Sequence, residues 1–229
     1  MLDPKIIIPL RPHSISELQR LLLDAQDSAD LIEIWLDKIK KLDEDKIQKI
    51  VEIVQKPLIL NLKKRKEGGL SRLGDQKRVQ LLQFAASLGV DFVDADLELP
   101  AELLKNLKKS CKKTQLILSF HDFKKTPKIE DLRKLATKAW KFKADIVKLV
   151  GTAQKFDDCS PIFQISWELA KRKKKFLTMG MGECGEPTRV ITPLIGGLGM
   201  FAPIHKKDAT AAGQLTVAEL REWWGVFSN

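Results

Sequence analysis

The 229-residue sequence contains no tyrosine, only three cysteines and only three histidines. Cys111, Cys159 and Cys184 lie far apart without the CxxC spacing of zinc sites, and a low, odd number of cysteines is typical of a reducing compartment. The amino-terminal region lacks the apolar core of a signal peptide. The longest uncharged stretch, 190–204, is too short and too rich in proline and glycine for a membrane helix. We therefore expect a cytoplasmic protein without a metal site or a membrane partner.

The charge is unbalanced, with 40 Lys and Arg against 30 Asp and Glu, for a formal net charge of +10. A strongly basic chain is often a nucleic-acid binder. Here the basic residues are dispersed over the stretches LKKRKEGG, LKKSCKK, FKKTPK and KRKKKF, and aromatic residues do not alternate with them as a base-stacking surface requires. We expect no nucleic-acid partner and interpret the charge as a field that attracts anionic metabolites.

Eight short apolar runs predict buried strands, and amphipathic helical patterns separate them. One helix is predicted to begin at the N-cap Ser14, and another to end at Gly89. Alternating strands and helices predict a parallel sheet that is covered on both faces. Eight such units over residues 1–229 predict a single-domain (β/α)8 TIM barrel. The runs are 5–10, 31–36, 57–62, 91–97, 115–120, 144–150, 175–180 and 197–204.

A doubly wound open sheet is the alternative fold, but the glycine pattern GMGECG comes late and no clear acidic ribose ligand follows it. In a TIM barrel the chemistry lies at the carboxyl ends of the strands. Several polar residues share one rim in that prediction, and such clusters indicate a functional site. They are Glu33, Trp35, Asp37, Asp94, Asp96, His121, Lys148, Arg189, Thr210 and Gln214.

Lys148 lies in the middle of the apolar run ADIVKLV, where a charge is costly unless it is paired or lost. Strand alternation alone leaves two alternatives: the side chain points outward or towards the rim, or it points into the barrel. In the second case we expect burial to lower the pKa of Lys148 and leave a neutral amine. Such an amine attacks ketones and aldehydes to give a Schiff base.

His121 directly follows a buried strand and could transfer protons near neutral pH, although a lone histidine is more often structural. Together with a Schiff-base lysine on the adjacent strand it would form a coherent catalytic pair. Arg189 follows a glycine-rich loop and could bind a carboxylate through two hydrogen bonds, or could simply be a surface arginine.

Several stretches in this order resemble the type I 3-dehydroquinate dehydratase family, over essentially the whole chain. The resemblance implies a (β/α)8 barrel that is usually a homodimer, with no metal and no organic cofactor. It implies a 3-dehydroquinate dehydratase of the shikimate pathway, which acts on a small-molecule carboxylate substrate. The stretches are EIWLD (33–37), KEGG (66–69), VDADLEL (93–99), SFHDF (119–123), ADIVKLV (144–150), MGMGECGEPTRV (179–190) and AAGQLTVAEL (211–220).

The resemblance also implies roles for individual residues. Lys148 matches the Schiff-base lysine and His121 the general acid and base, while Asp96 stands where the family has a glutamate that orients the histidine. The remaining matches are to substrate-binding positions. Glu33 matches a contact to ring hydroxyls, and Arg189, Thr210 and Gln214 match positions that hold the substrate carboxylate and its neighbouring groups.

The sequence departs from the family at two substrate-binding positions, where Trp35 and Lys63 stand in place of arginines. Pro9 and Thr210 replace serines. One interpretation is a divergent dehydratase in which Lys64 or Arg65 supplies the missing contacts. Other interpretations are weakened activity, a related substrate, or a basic binding protein without activity. A further alternative is an aldolase-like Schiff-base enzyme, which would need a phosphate site in the loops after strands seven and eight. GGLG (196–199) is the candidate for that site, but it lies at the start of strand eight, on the wrong side.

Overall fold

The computed structural model describes residues 4–227, in which strands alternate with helices. The strands are β1 (Lys5–Leu10), β2 (Leu31–Trp35), β3 (Leu58–Asn61), β4 (Phe92–Asp96), β5 (Gln115–His121), β6 (Ile146–Thr152), β7 (Lys175–Met181) and β8 (Gly199–Phe201). The α-helices are α1 (Ile15–Ala25), α2 (Glu44–Ile53), α3 (Asp75–Ser87), α4 (Ala101–Ser110), α5 (Ile129–Lys141), α6 (Ser160–Lys171), α7 (Glu186–Leu194) and α8 (Val217–Val226).

All strand pairs are parallel, in the order β7-β6-β5-β4-β3-β2-β1-β8. The sheet curls into a nearly closed barrel, and the gap between β7 and β8 is bridged by a hydrogen bond of 3.0 Å from the Leu198 amide to the Phe176 carbonyl oxygen. The predicted (β/α)8 TIM barrel is confirmed. The predicted boundaries 1–229 include residues 1–3 and 228–229, which lie outside the described range.

Local sequence explains where the helices begin and end. Ser14 caps α1 as predicted, because its hydroxyl oxygen accepts a hydrogen bond of 3.2 Å from the Glu17 amide. Gly89 follows α3 with a φ of +81°, the left-handed conformation that ends many helices. Among residues 4–227, no helix is both long and apolar enough to cross a membrane.

The register of the strands brings polar residues to one level inside the barrel. Lys148 on β6 pairs with Ser119 on β5, which pairs in turn with Asp96 on β4. Residues in register on neighbouring strands point to the same face of the sheet, so these side chains converge. His121, two residues beyond Ser119, comes at the carboxyl end of β5, where TIM barrels carry their active sites.

Candidate active site

A cavity of about 250 Å³ opens at the carboxyl ends of the strands. Its lining combines apolar side chains such as Met179 and Phe201 with a few polar groups, which is typical of small-molecule sites. Seven of the nine predicted site residues line it: Glu33, Trp35, His121, Lys148, Arg189, Thr210 and Gln214. Lys63 and Asp96 are not among the residues that line this cavity.

Lys148 points into the barrel and is only 3 % exposed, which decides between the two alternatives for its side chain. Its Nζ donates to Asp94 Oδ2 at 3.0 Å and to Glu33 Oε1 at 3.2 Å. The ammonium also lies 4.1 Å from the centre of the Phe201 ring, a cation–π contact. The amine is therefore fixed at the floor of the cavity by three different strands.

The expected lowering of the Lys148 pKa is wrong. Desolvation by burial is the largest influence and lowers the pKa, but the attraction of Asp94 and Glu33 outweighs it, so the pKa of Lys148 is raised. The resting amine is consequently a protonated partner of two carboxylates. It must lose a proton before it can act as a nucleophile.

Lys63 follows β3 and is fully buried beside Lys148 rather than in the cavity wall. Its Nζ donates to Asp94 Oδ1 at 2.7 Å, to Asp96 Oδ1 at 2.9 Å and to the Ser119 hydroxyl at 2.5 Å. The attraction of the two carboxylates outweighs desolvation and raises the pKa of Lys63. The predicted contact of Lys63 with a substrate is not supported, because the side chain is enclosed by protein.

The predicted contact between Asp96 and His121 is wrong. Asp96 Oδ1 accepts from Lys63, and Asp96 Oδ2 accepts from Arg78 Nη1 at 2.8 Å. The carboxylate that contacts the histidine is Glu67 instead, because its Oε2 lies 2.8 Å from His121 Nδ1. This contact orients the ring and leaves Nε2 as the nitrogen that Glu67 does not engage.

Glu67 reaches His121 because the loop after β3 turns back sharply. Gly68 has a φ of +80°, and a Cβ on Gly69 would lie 2.1 Å from the Lys63 carbonyl oxygen. Both positions therefore require glycine. The motif KEGG carried this information, since the carboxylate directly precedes the two glycines, but sequence reasoning gave Glu67 no role.

Trp35 forms part of the cavity wall and uses its only donor on a neighbour. Its Nε1 donates to Glu33 Oε2 at 2.6 Å, while Glu33 Oε1 receives Lys148. The Arg11 guanidinium lies 4.1 Å from the centre of the Trp35 ring and donates to the Gly68 carbonyl oxygen at 2.7 Å. Trp35 thus presents an apolar ring to the cavity and holds Glu33 in position.

Lys64 and Arg65 do not supply the contacts that the two missing arginines would make. Lys64 Nζ binds Asp75 Oδ1 at 2.6 Å, and neither Lys64 nor Arg65 lines the cavity. The basic side chain that the structure brings to Trp35 is Arg11, which sequence reasoning did not consider.

Arg189, on α7, is a buried cation in the lining of the cavity and is 1 % exposed. Its Nη2 donates to the Ala212 carbonyl oxygen at 3.3 Å, and its Nη1 meets only sulfur atoms, Met179 Sδ at 3.9 Å and Met200 Sδ at 4.0 Å. Within residues 4–227, its buried Nε has no hydrogen-bond partner. Desolvation lowers the pKa of Arg189 to about 10. A buried guanidinium with such weak partners is suited to an anionic ligand.

Thr210 and Gln214 lie in the loop between β8 and α8, beside Arg189. Gln214 Oε1 accepts from the Thr210 amide at 2.6 Å, and Gln214 Nε2 lies 3.2 Å from the Thr210 hydroxyl oxygen. This small ring of hydrogen bonds keeps both polar groups on the cavity wall. By contrast, GGLG (196–199) comes at the amino end of β8, away from the cavity, so the phosphate site of an aldolase-like enzyme is not supported there.

Comparison with known proteins identifies the family of this chain. The type I 3-dehydroquinase family profile matches residues 6–228. The chain belongs to the type I 3-dehydroquinase family. Two relatives, both named 3-dehydroquinate dehydratase, come from Methanococcus maripaludis strain C6 (32 % identity; 95 % of this chain and 97 % of the relative) and Methanocaldococcus jannaschii (30 %; 96 % and 97 %).

Solved structures of type I 3-dehydroquinases share the fold of this chain. The 3-dehydroquinate dehydratase of Geobacillus kaustophilus aligns with a TM-score of 0.91 at 22 % identity, over 99 % of this chain and 91 % of that one. The Clostridium difficile enzyme, solved with covalently modified comenic acid, aligns with a TM-score of 0.87 at 22 % identity, over 98 % and 92 %. At this identity the likeness is one of fold.

Proposed function

We propose that this chain is a 3-dehydroquinate dehydratase, a hydro-lyase that converts 3-dehydroquinate to 3-dehydroshikimate through a Schiff base on Lys148. The family and the names of its relatives support this reaction. The single observation that carries the proposal is the cavity that holds a buried lysine, a carboxylate-bound histidine and a weakly partnered arginine together.

Arg189 is proposed to bind the substrate carboxylate. A carboxylate offers it two charge-assisted hydrogen bonds in place of its sulfur contacts, and Thr210 and Gln214 can add neutral ones. The ring of the substrate then lies across the cavity towards Lys148. Glu33 faces the ring hydroxyls in this arrangement, and Trp35 offers an apolar surface where relatives with an arginine would have donors.

The reaction begins when the Lys148 amine, after losing a proton, attacks the C3 ketone to form a carbinolamine. His121 protonates the departing oxygen, so that water leaves and an imine remains. His121 then removes a C2 proton, and the imine takes up the electron pair. The C1 hydroxyl leaves as water with a proton from His121, and hydrolysis of the imine releases the product.

Borohydride reduction in the presence of 3-dehydroquinate tests this proposal, because it converts the imine to a stable amine. We expect the adduct on the peptide that contains Lys148 and none in a Lys148→Ala variant. Lys112→Ala, which changes an exposed lysine, should form the adduct at the native rate. If 3-dehydroquinate is neither dehydrated nor trapped by the native protein, the proposed function is wrong.

A homodimer and a cytoplasmic location belong to the same proposal and stay predictions. Exposed aromatic side chains on α6 and in the segment before it support a homodimer, since Phe156 is 70 % and Trp167 is 55 % exposed. Large exposed aromatic side chains are enriched at protein interfaces. Sedimentation velocity on the native chain measures its oligomeric state, and a monomer at micromolar concentration would contradict the dimer.

A further inference from the structure

Six buried charged side chains form one continuous network that begins at the cavity wall with Glu33 and Lys148. Three are cations and three are anions, so the network is neutral when all are ionised. Its direct contacts run from the nucleophile to α3 without a gap. The members, in order of contact, are Glu33, Lys148, Asp94, Lys63, Asp96 and Arg78.

Asp94 is shared between the two lysines of this network. Its Oδ2 accepts from Lys148 at 3.0 Å and its Oδ1 from Lys63 at 2.7 Å, with a further bond of 2.6 Å from the Ser119 hydroxyl to Oδ1. Lys63 thus compensates part of the charge that Asp94 would otherwise direct at Lys148. Without Lys63, Lys148 would face the uncompensated carboxylate.

Lys63 has no donor left for a substrate. An ammonium group has three N–H bonds, and Lys63 directs them to Asp94, Asp96 and Ser119. The side chain is also fully buried and absent from the cavity wall. A substrate contact would therefore require the loss of at least one of these bonds.

Lys148 is surrounded by charges of both signs. Glu33 on β2 and Asp94 on β4 contact it directly, while His121 and Arg189 line the same cavity. The two carboxylates raise the pKa of Lys148, and repulsion from Lys63 lowers it. Lys63 is thus a nearby charge that opposes the two carboxylates.

We propose that Lys63 is a positioning residue for the nucleophile: by holding Asp94 Oδ1 it allows the Lys148 amine to give up its proton and attack the substrate. In this step an N–H bond of Lys148 breaks, the proton passes to water, and the electron pair stays on Nζ. The inference rests on the proposed Schiff-base function, and it assigns Lys63 an effect on the reactivity of Lys148 rather than on substrate binding.

Lys63→Met tests the proposal, because it removes the charge and keeps an unbranched side chain of nearly the same length. We expect the acid limb of the kcat profile with 3-dehydroquinate to move to higher pH by about one to two units. At pH 7 the variant should lose about 10-fold or more in kcat, and activity should return at higher pH. KM should stay within about twofold of the native value where the amine is deprotonated.

Two further variants make the result decisive. Lys64→Met removes the neighbouring charge, which is bound to Asp75 away from the cavity, and should leave the pH profile unchanged. Lys63→Met combined with Asp96→Asn removes one charge of each sign, so the remaining network stays neutral. If the single variant does not fold, this double variant should show the same shift.

Carbamylation of Lys148 by cyanate, followed by peptide mass spectrometry across pH, measures the same amine without any substrate. In the Lys63 variants, the midpoint of the pH dependence of carbamylation should move to higher pH, together with the acid limb of the kcat profile. An unchanged midpoint in the Lys63 variants, or a raised KM with an unshifted profile, would overturn the proposal. Because this readout needs no dehydration, its failure is distinguishable from failure of the proposed function.

Discussion

The two buried arginines, Arg189 and Arg78, should respond in opposite ways to replacement by methionine. Arg189 is 1 % exposed and has only weak partners, whereas Arg78 is 3 % exposed and donates to Asp96, to Asp75 and to the Leu62 carbonyl oxygen. Both substitutions remove a buried positive charge and keep an apolar side chain of similar length. They differ in what is left behind, because replacing Arg78 leaves the buried Asp96 carboxylate without one of its donors, whereas no carboxylate among the described residues depends on Arg189 in this way.

The expected change in the free energy of unfolding for Arg189→Met follows from the desolvation of the guanidinium. Burial lowers its pKa from the ordinary guanidinium value to about 10, and one pKa unit corresponds to about 1.4 kcal/mol. Holding this charge in the folded protein therefore costs about 3 kcal/mol. We expect Arg189→Met to raise the free energy of unfolding by up to about that amount, while KM for the carboxylate substrate rises about 100-fold.

Arg78→Met should instead lower the free energy of unfolding by about 3–5 kcal/mol, because it leaves the buried Asp96 carboxylate without one of its partners. Urea unfolding of both variants at neutral pH, with the native chain as reference, measures the contrast. If Arg189→Met destabilises the fold as much as Arg78→Met does, Arg189 is a structural cation, and its assignment to the substrate carboxylate is refuted.

Two other contacts can be tested by kinetics. Glu67→Gln should lower kcat about 100-fold at nearly unchanged KM, because the neutral glutamine side chain does not stabilise the charged form of His121 during proton transfer. A higher KM with an unchanged kcat would contradict this role. Trp35→Phe removes the hydrogen bond to Glu33 and keeps an aromatic wall, so KM should rise about 5- to 10-fold, as for one lost bond to a charged group. An unchanged KM would show that Glu33 needs no such support.

The alternation of strands and helices was readable from the sequence because each buried strand is a separate apolar run. The predicted run 5–10 matches β1, and 144–150 overlaps β6. The structure extends β6 to Thr152, since backbone pairing with β7 continues through Gly151, where an apolar pattern gives no information. The barrel prediction then placed the site at the carboxyl ends of the strands, and the resemblance to a known family assigned roles to individual residues.

The errors at the site all concern which side chains contact each other. Asp96 and Glu67 are both buried carboxylates, and the backward turn at Gly68 brings Glu67 to the His121 ring, whereas Asp96 contacts Lys63 and Arg78. The pKa of Lys148 was predicted from burial alone. The direction of the pKa shift of Lys148 depends also on the carboxylates of Glu33 and Asp94, which come from strands distant in sequence. Pairings of this kind follow from three-dimensional packing and not from local pattern.

The central claim is that Lys148 forms a covalent imine with 3-dehydroquinate. Borohydride trapping followed by mass spectrometry of the peptide that contains Lys148 tests it most directly. We predict one reduced adduct per chain, located on Lys148 and absent from Lys148→Ala. An adduct on another lysine, or dehydration by the Lys148→Ala variant at the native rate, would contradict the claim.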